Sequence, residues 1–171
     1  MSYPQFIPDG VQANGLKYYF MNGMKHDLEY AMLAIFADAI ATFEGFYIEN
    51  SISQRHNNPG NLRPIGASTG FRTFPTENDG WAALSRQIVI NIKRQLTLRE
   101  FFLGKEGVYP GYAPLGDNPA ETMENYIAFV EKRLNIDQND VLSRYFPIIS
   151  QTDPLESFGY ISAWTYKPFW A

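Results

Sequence analysis

Apolar residues in this chain fall into stretches of helical spacing, interrupted early by one long polar interval. Between Met24 and Phe43, Leu33, Phe36 and Ile40 recur at steps of three and four, and Leu28, Met32 and Ile35 widen the apolar face. A largely buried helix is predicted there, ended by Gly45. The following stretch of about thirty residues is rich in Asn, Pro, Gly and Ser. Within it Asn58-Pro59-Gly60 suits a type II turn, in which glycine accepts the positive φ. Leu62 to Ile65 and Phe71 to Phe74 flank Gly66-Ala67-Ser68-Thr69-Gly70 like the arms of a short β-hairpin.

Helical signals then return. Thr76 is placed to cap a helix with Glu77 and Asp79 in its first turn, and Trp81, Leu84, Ile88, Ile92 and Leu96 form one face. Thr97-Leu98-Arg99-Glu100 has the form of a capping box, with Phe101 and Phe102 behind it. A loop from Gly104 to Asp117 leads to Asn118-Pro119-Ala120-Glu121, read as a cap, a first-turn proline and an acid. They open a helix of about four turns carrying Met123, Ile127, Val130 and Leu134. Asp137 and Asp153-Pro154-Leu155-Glu156 offer two more starts, and the chain closes on the aromatic stretch Tyr160 to Trp170. Pro4, Pro8, Gly10 and Gly15 mark residues 1–22 as an extended arm. The expected fold class is α+β, predominantly α-helical: one domain over 23–171, with a small hairpin or loop insert after the first helix.

Composition narrows the chemistry. The 171 residues are 45% apolar and 16% aromatic, which suits a packed core in one domain. There is no cysteine, so disulfides, thiolate metal sites and a cysteine nucleophile are excluded. With only His26 and His56, a zinc site is not expected, and no cofactor is implied. A net charge of −4 argues against nucleic acid or an anionic membrane as partner. The amino terminus has neither a basic n-region nor an apolar run, and no segment reads as a membrane span. Lys93-Arg94 and Glu131-Lys132-Arg133 read as solvated helix faces.

Catalysis, if present, rests on carboxylates. Glu44 lies four residues after Ile40 and eight after Phe36, in line with the apolar stripe. Phe43, Phe46 and Tyr47 surround it, and a helix carboxyl end lies beside it. Low polarity and that partial negative charge both raise a carboxyl pKa, leaving a protonated acid that can act as a general acid. The plain alternative is a glutamate ending a helix in solvent, where most glutamates are found.

The segment Ala41-Thr42-Phe43-Glu44-Gly45-Phe46, followed by Glu121-Thr122-Met123-Glu124-Asn125-Tyr126-Ile127-Ala128-Phe129-Val130, resembles the lytic transglycosylases of the lysozyme superfamily. The likeness runs from about residue 33 to residue 134, roughly three fifths of the chain. In that family an apolar helix ends in the catalytic Glu, usually followed by Ser, where this chain has Gly45. The family's usual cleft motif, Gly-Leu-Met-Gln, is replaced by Asn57-Asn58-Pro59-Gly60-Asn61-Leu62-Arg63. That variant, with Phe74-Pro75-Thr76 and Asp79-Gly80-Trp81 after it, is similar to a phage and mobile-element branch, several members of which travel in the virion. The resemblance implies a lysozyme-like fold, Glu44 as catalytic acid, and Tyr126 beside it in contact with substrate. It also implies that Asn58 and Asn61 hold sugar hydroxyls or acetamide groups; Tyr47, which flanks Glu44, is expected as a further substrate contact. Tyr126 is equally open to reading as a core tyrosine, and Asn58 and Asn61 as turn residues that satisfy local backbone.

A glycan hydrolase needs a second carboxylate, about 5 Å from the acid in retaining enzymes and about 6.5–9.5 Å in inverting ones. Glu49, Glu77 and Asp79 are the candidates, of which the last two double as first-turn helix acids. Lytic transglycosylases, as the resemblance implies, use one Glu as acid and then base while the sugar's own hydroxyl closes an anhydro ring. The leading expectation is therefore a lytic transglycosylase acting on peptidoglycan glycan strands, made in the cytoplasm and carried in a virion or delivered by another factor. A muramidase and a non-catalytic glycan-binding component of a virion or secretion apparatus stand as alternatives.

Overall fold

The computed structural model describes residues 27–67, 69–113 and 118–151. The extended arm expected for 1–22, the helix start at Met24, the start at Asp153 and the aromatic tail all lie outside these residues. Among the described residues five α-helices follow in order: α1 Asp27–Phe43, α2 Ile52–Arg55, α3 Glu77–Lys93, α4 Leu98–Leu103 and α5 Ala120–Leu134. Two 3-10 turns, Leu142–Arg144 and Ile149–Gln151, close the described chain. Asp137 opens no helix; its carboxylate instead accepts from the Asn139 amide in the turn before Leu142. Among the described residues no helix is long and apolar enough to cross a membrane.

The architecture is predominantly helical, with α1 at its centre. Leu33, Ala34, Phe36, Ala37, Ala39, Ile40 and Ala41 are all fully buried, so this helix is enclosed on nearly every side. Its alanines admit close neighbours, and α1 packs against both α3 and α5. Phe36 meets Phe101 of α4 edge to face at 5.1 Å. Both anticipated Thr caps form as reciprocal capping boxes, Thr76 with Asp79 and Thr97 with Glu100. At α5 the start moves by one residue: Pro119 is the cap position, without a side-chain cap bond, and Ala120 is the first helical residue.

The expected β-hairpin is not formed. No strand occurs among the described residues, and the α+β expectation gives way to a helical fold with an irregular insert. Across the intended arms the Arg72 amide donates to the Leu62 carbonyl (2.8 Å), and farther out the Asn58 side chain takes over the role of a partner strand. Its Nδ2 donates to both the Leu62 and Arg72 carbonyls, and its Oδ1 accepts from the Leu62 amide. A buried asparagine that supplies three bonds to local backbone removes the need for a ladder. Asn57 Nδ2 and the His56 carbonyl bind Phe74 in the same way.

The turn also differs from a type II turn. The Asn61 amide donates to the Asn58 carbonyl (3.0 Å), but the positive φ falls on Asn61, at 47°, and not on Gly60. Glycine is required at Gly60 for close approach instead: a Cβ there would press on the Tyr112 hydroxyl and on Leu84. The same holds at Gly80 in the first turn of α3, where a Cβ would overlap the Asn57 carbonyl oxygen and crowd Pro59. The Asn57 to Asn61 turn is thus seated directly on helix α3.

Gly80→Ala would normally stabilise a helix by up to about 1 kcal/mol through propensity. Here overlap with the seated turn should reverse the sign and cost about 3 kcal/mol. A urea denaturation midpoint below that of the parent checks this; a higher midpoint would show that the turn does not sit on Gly80.

Candidate active site

Helix α1 ends in a Schellman motif, and that ending aims Glu44. The Phe46 amide donates to the Ala41 carbonyl (2.9 Å) and the Gly45 amide to the Thr42 carbonyl (3.2 Å), with Gly45 at φ 77°. Glu44 is the cap residue of this motif. Phe46 is buried beneath it and meets Trp81 edge to face at 5.5 Å, fixing the outgoing chain against α3. Trp81 in turn donates its indole N–H to Glu77 at 3.2 Å.

The Glu44 carboxyl receives one hydrogen bond on each oxygen. The Tyr126 hydroxyl donates to Oε1 (2.9 Å) and Asn61 Nδ2 donates to Oε2 (3.0 Å). Tyr126 comes from the buried face of α5, its ring stacked on Phe43 at 3.9 Å and tilted against Phe102 at 4.5 Å. Asn61 comes from the turn seated on α3. Three separate parts of the chain therefore meet at one carboxyl.

Glu44 opens into a cleft of about 540 Å³ between the 60–72 loop, α3, the loop after α4 and the start of α5. Arg63, Arg72 and Arg86 line it, as do the apolar side chains of Ile65 and Phe71. Among the described residues that line it, Glu44 is the sole carboxylate. None of the proposed second acids is available: Glu49 is exposed and off the cleft, Glu77 is bonded to Trp81, and Asp79 is fully buried in its capping box. No cluster of three His, Asp or Glu side chains suited to a metal ion occurs among the described residues.

Burial holds the Glu44 carboxyl above its ordinary pKa, while the bonds from Asn61 and Tyr126 favour the anion and pull it partly back. Burial also pushes Tyr126 and Tyr112 well above the usual tyrosine value, and the Glu44 charge adds to it. Both hydroxyls consequently stay protonated and act as donors. A carboxyl in this setting holds its proton to higher pH than an exposed glutamate does, and on giving it to a basic oxygen in the cleft it sits as an anion between two fixed donors.

Of the residues singled out in the sequence, Glu44, Tyr126 and Asn61 are brought together. Asn58 is not a ligand-facing residue, because it is fully buried and its amide is spent on Leu62 and Arg72. Tyr47 faces away from the cleft: its hydroxyl donates to Asp38, a buried acid that also pairs with Arg133 at 2.7 Å. Lys132 and Arg133 are exposed, as a solvated face requires, but Arg133 also pairs with Asp38, and Glu131 binds the Gln138 amide at 2.7 Å. In the other basic pair, Arg94 lies over the Tyr109 ring and Lys93 reaches the Ser150 carbonyl. Sequence reasoning passed over Tyr112, whose hydroxyl donates to the Gly60 carbonyl. The one available cue was an aromatic side chain set among the turn residues Pro110 and Gly111 in a segment otherwise read as loop.

A raised carboxyl pKa means that the folded protein binds a proton more tightly than the unfolded chain. Between the unfolded glutamate value of about 4.3 and the folded value, stability then falls as pH rises. Glu44→Gln lacks this loss, so its stability relative to the parent should increase through that window and level off above it. Parallel stability curves for the two proteins across pH 4 to 8, measured by chemical denaturation, would contradict a buried titrating carboxyl. No protein-family model, curated protein or solved structure matches this chain, so the geometry of the Glu44 cleft carries the functional reading.

Proposed function

We propose that this protein is a peptidoglycan lytic transglycosylase with a lysozyme-like catalytic domain, cutting the β-1,4 bond between N-acetylmuramic acid and N-acetylglucosamine. The observation that carries the reading is a single carboxyl lining the cleft, its proton affinity raised by burial, held between the donors Tyr126 and Asn61. The cleft volume lies within the ordinary range for ligand sites, and Ile65 and Phe71 offer apolar surface to sugar ring faces.

In the first step Glu44 gives its proton to the bridging oxygen, which leaves as the 4-hydroxyl of N-acetylglucosamine while positive charge develops at C1 of the muramyl sugar. The carboxylate so formed is stabilised by the same two donors. It then takes the proton from the muramyl 6-hydroxyl as that oxygen attacks C1, closing a 1,6-anhydro ring and restoring the acid. No water enters the products and no second carboxylate is needed, in keeping with a cleft that has only one among its described lining residues. The resemblance to a phage and mobile-element branch suggests delivery to the wall by a particle or secretion apparatus.

Purified sacculi digested with the protein should release muropeptides with anhydro ends, one water lighter than hydrolysis products by mass spectrometry. Glu44→Gln should lower release roughly 10²- to 10⁴-fold. Hydrated reducing ends would assign a muramidase instead. Intact sacculi that nevertheless bind parent and Glu44→Gln equally would assign a glycan-binding structural component.

A further inference from the structure

We infer that Tyr112 is a positioning residue for the Glu44 acid: through the Gly60 carbonyl it holds the Asn61 amide against the carboxyl. The inference adds a control element to the proposed active site and rests on that reading for its catalytic meaning. The physical linkage, however, stands on contacts alone.

Three observations make the linkage specific. First, the Asn61 amide has little else to hold it: Nδ2 donates to Glu44, and Oδ1 is buried without a hydrogen-bond partner. The direction of the amide is therefore set by the Asn61 backbone, which sits at φ 47°. Second, the peptide just before that backbone is gripped by Tyr112, whose hydroxyl donates to the Gly60 carbonyl. Third, Tyr112 is itself rigidly mounted. Its amide donates to the Phe101 carbonyl (2.8 Å), the next amide, Ala113, donates to the Phe102 carbonyl (3.1 Å), and its ring stacks on Phe101 at 5.3 Å. Glycine at position 60 leaves room for the hydroxyl that a Cβ would displace.

The titratable and charged groups around the carboxyl come from each packed element: Tyr126 on α5, Arg86 on α3, Tyr109 and Tyr112 after α4, and Arg63 and Arg72 on the insert. Tyr126 bonds the carboxyl directly. Tyr112 acts on it at one remove. Without its hydroxyl, Asn61 loosens and Glu44 loses a bond that favours its anion, so the acid should hold its proton to higher pH.

Tyr112→Phe keeps the ring and its stacking, so the fold should survive. With side-chain carboxyl carbons labelled with 13C and Glu44 assigned by loss of its signal in Glu44→Gln, NMR titration should show an upward shift of the Glu44 pKa in Tyr112→Phe. Asn61→Ala should shift it in the same direction, and the double variant should add nothing beyond the larger single effect, the mark of one shared path. On sacculi, the alkaline limb of kcat/KM should move to higher pH in Tyr112→Phe. An unshifted titration in Tyr112→Phe, or shifts that add in the double variant, would overturn the inference. If the parent protein leaves sacculi intact while the titrations behave as stated, the positioning role holds and the transglycosylase reading fails.

Discussion

Everything at this site depends on keeping one carboxyl out of bulk water at the end of a helix that is itself buried. Burial there disfavours the charged carboxylate and raises the proton affinity of the group. A carboxyl left with no donors at all would be a poor catalyst, since it could give up a proton only with difficulty. Tyr126 and Asn61 set the balance between these extremes, one donor on each oxygen, without supplying a positive charge that would force ionisation.

The helical scaffold delivers that arrangement through a second polar contact deeper in the fold. Arg133 and Tyr126 are seven residues apart on α5, hence two turns apart on one face. On α1 and its cap their partners are Asp38 and Glu44, in the opposite order along the chain, as antiparallel packing requires. The Asp38 to Arg133 pair is buried on the acid side, and Tyr47 covers it with a further hydrogen bond. Such a pair adds little net stability, but an unpaired Asp38 would be strongly unfavourable, so slippage of α5 along α1 is resisted. The Phe43 ring stacked on Tyr126 then closes the end nearest the cleft. Tyr47, which the sequence suggested as a ligand contact, serves the register of the two helices instead.

Much of this was readable from spacing. The Thr97 capping box, the long helices and the placement of Glu44 on the α1 stripe all follow from periodicity and cap chemistry, which act over a few residues. What stayed hidden depends on contacts between distant segments. Asn58 and Asn61 are the same residue type in the same turn, yet one is consumed by backbone and the other meets the carboxyl. Only the seating of that turn on Gly80 and under Tyr112 separates them. The apolar alternation around Gly66 to Gly70 pointed to a hairpin, but Asn58 satisfied the backbone groups that a second strand would have served. Arg133 is exposed, as its sequence suggests, but its pairing was hidden because its partner, Asp38, lies in a helix whose other residues are nearly all apolar.

The glycine after the acid carries a final consequence. At φ 77° position 45 is in the left-handed region, where glycine closes the Schellman motif with no side-chain strain. A side chain bearing a hydroxyl there could donate to the neighbouring carboxyl; glycine cannot. The polar partner on that side must come from elsewhere, and Asn61 occupies the role from seventeen residues downstream. The proton affinity of the carboxyl is thereby set in part by a loop whose position depends on Asn58, Gly80 and Tyr112. A site built this way can be retuned by changes far from the carboxyl, provided that they move the turn and leave the end of α1 intact.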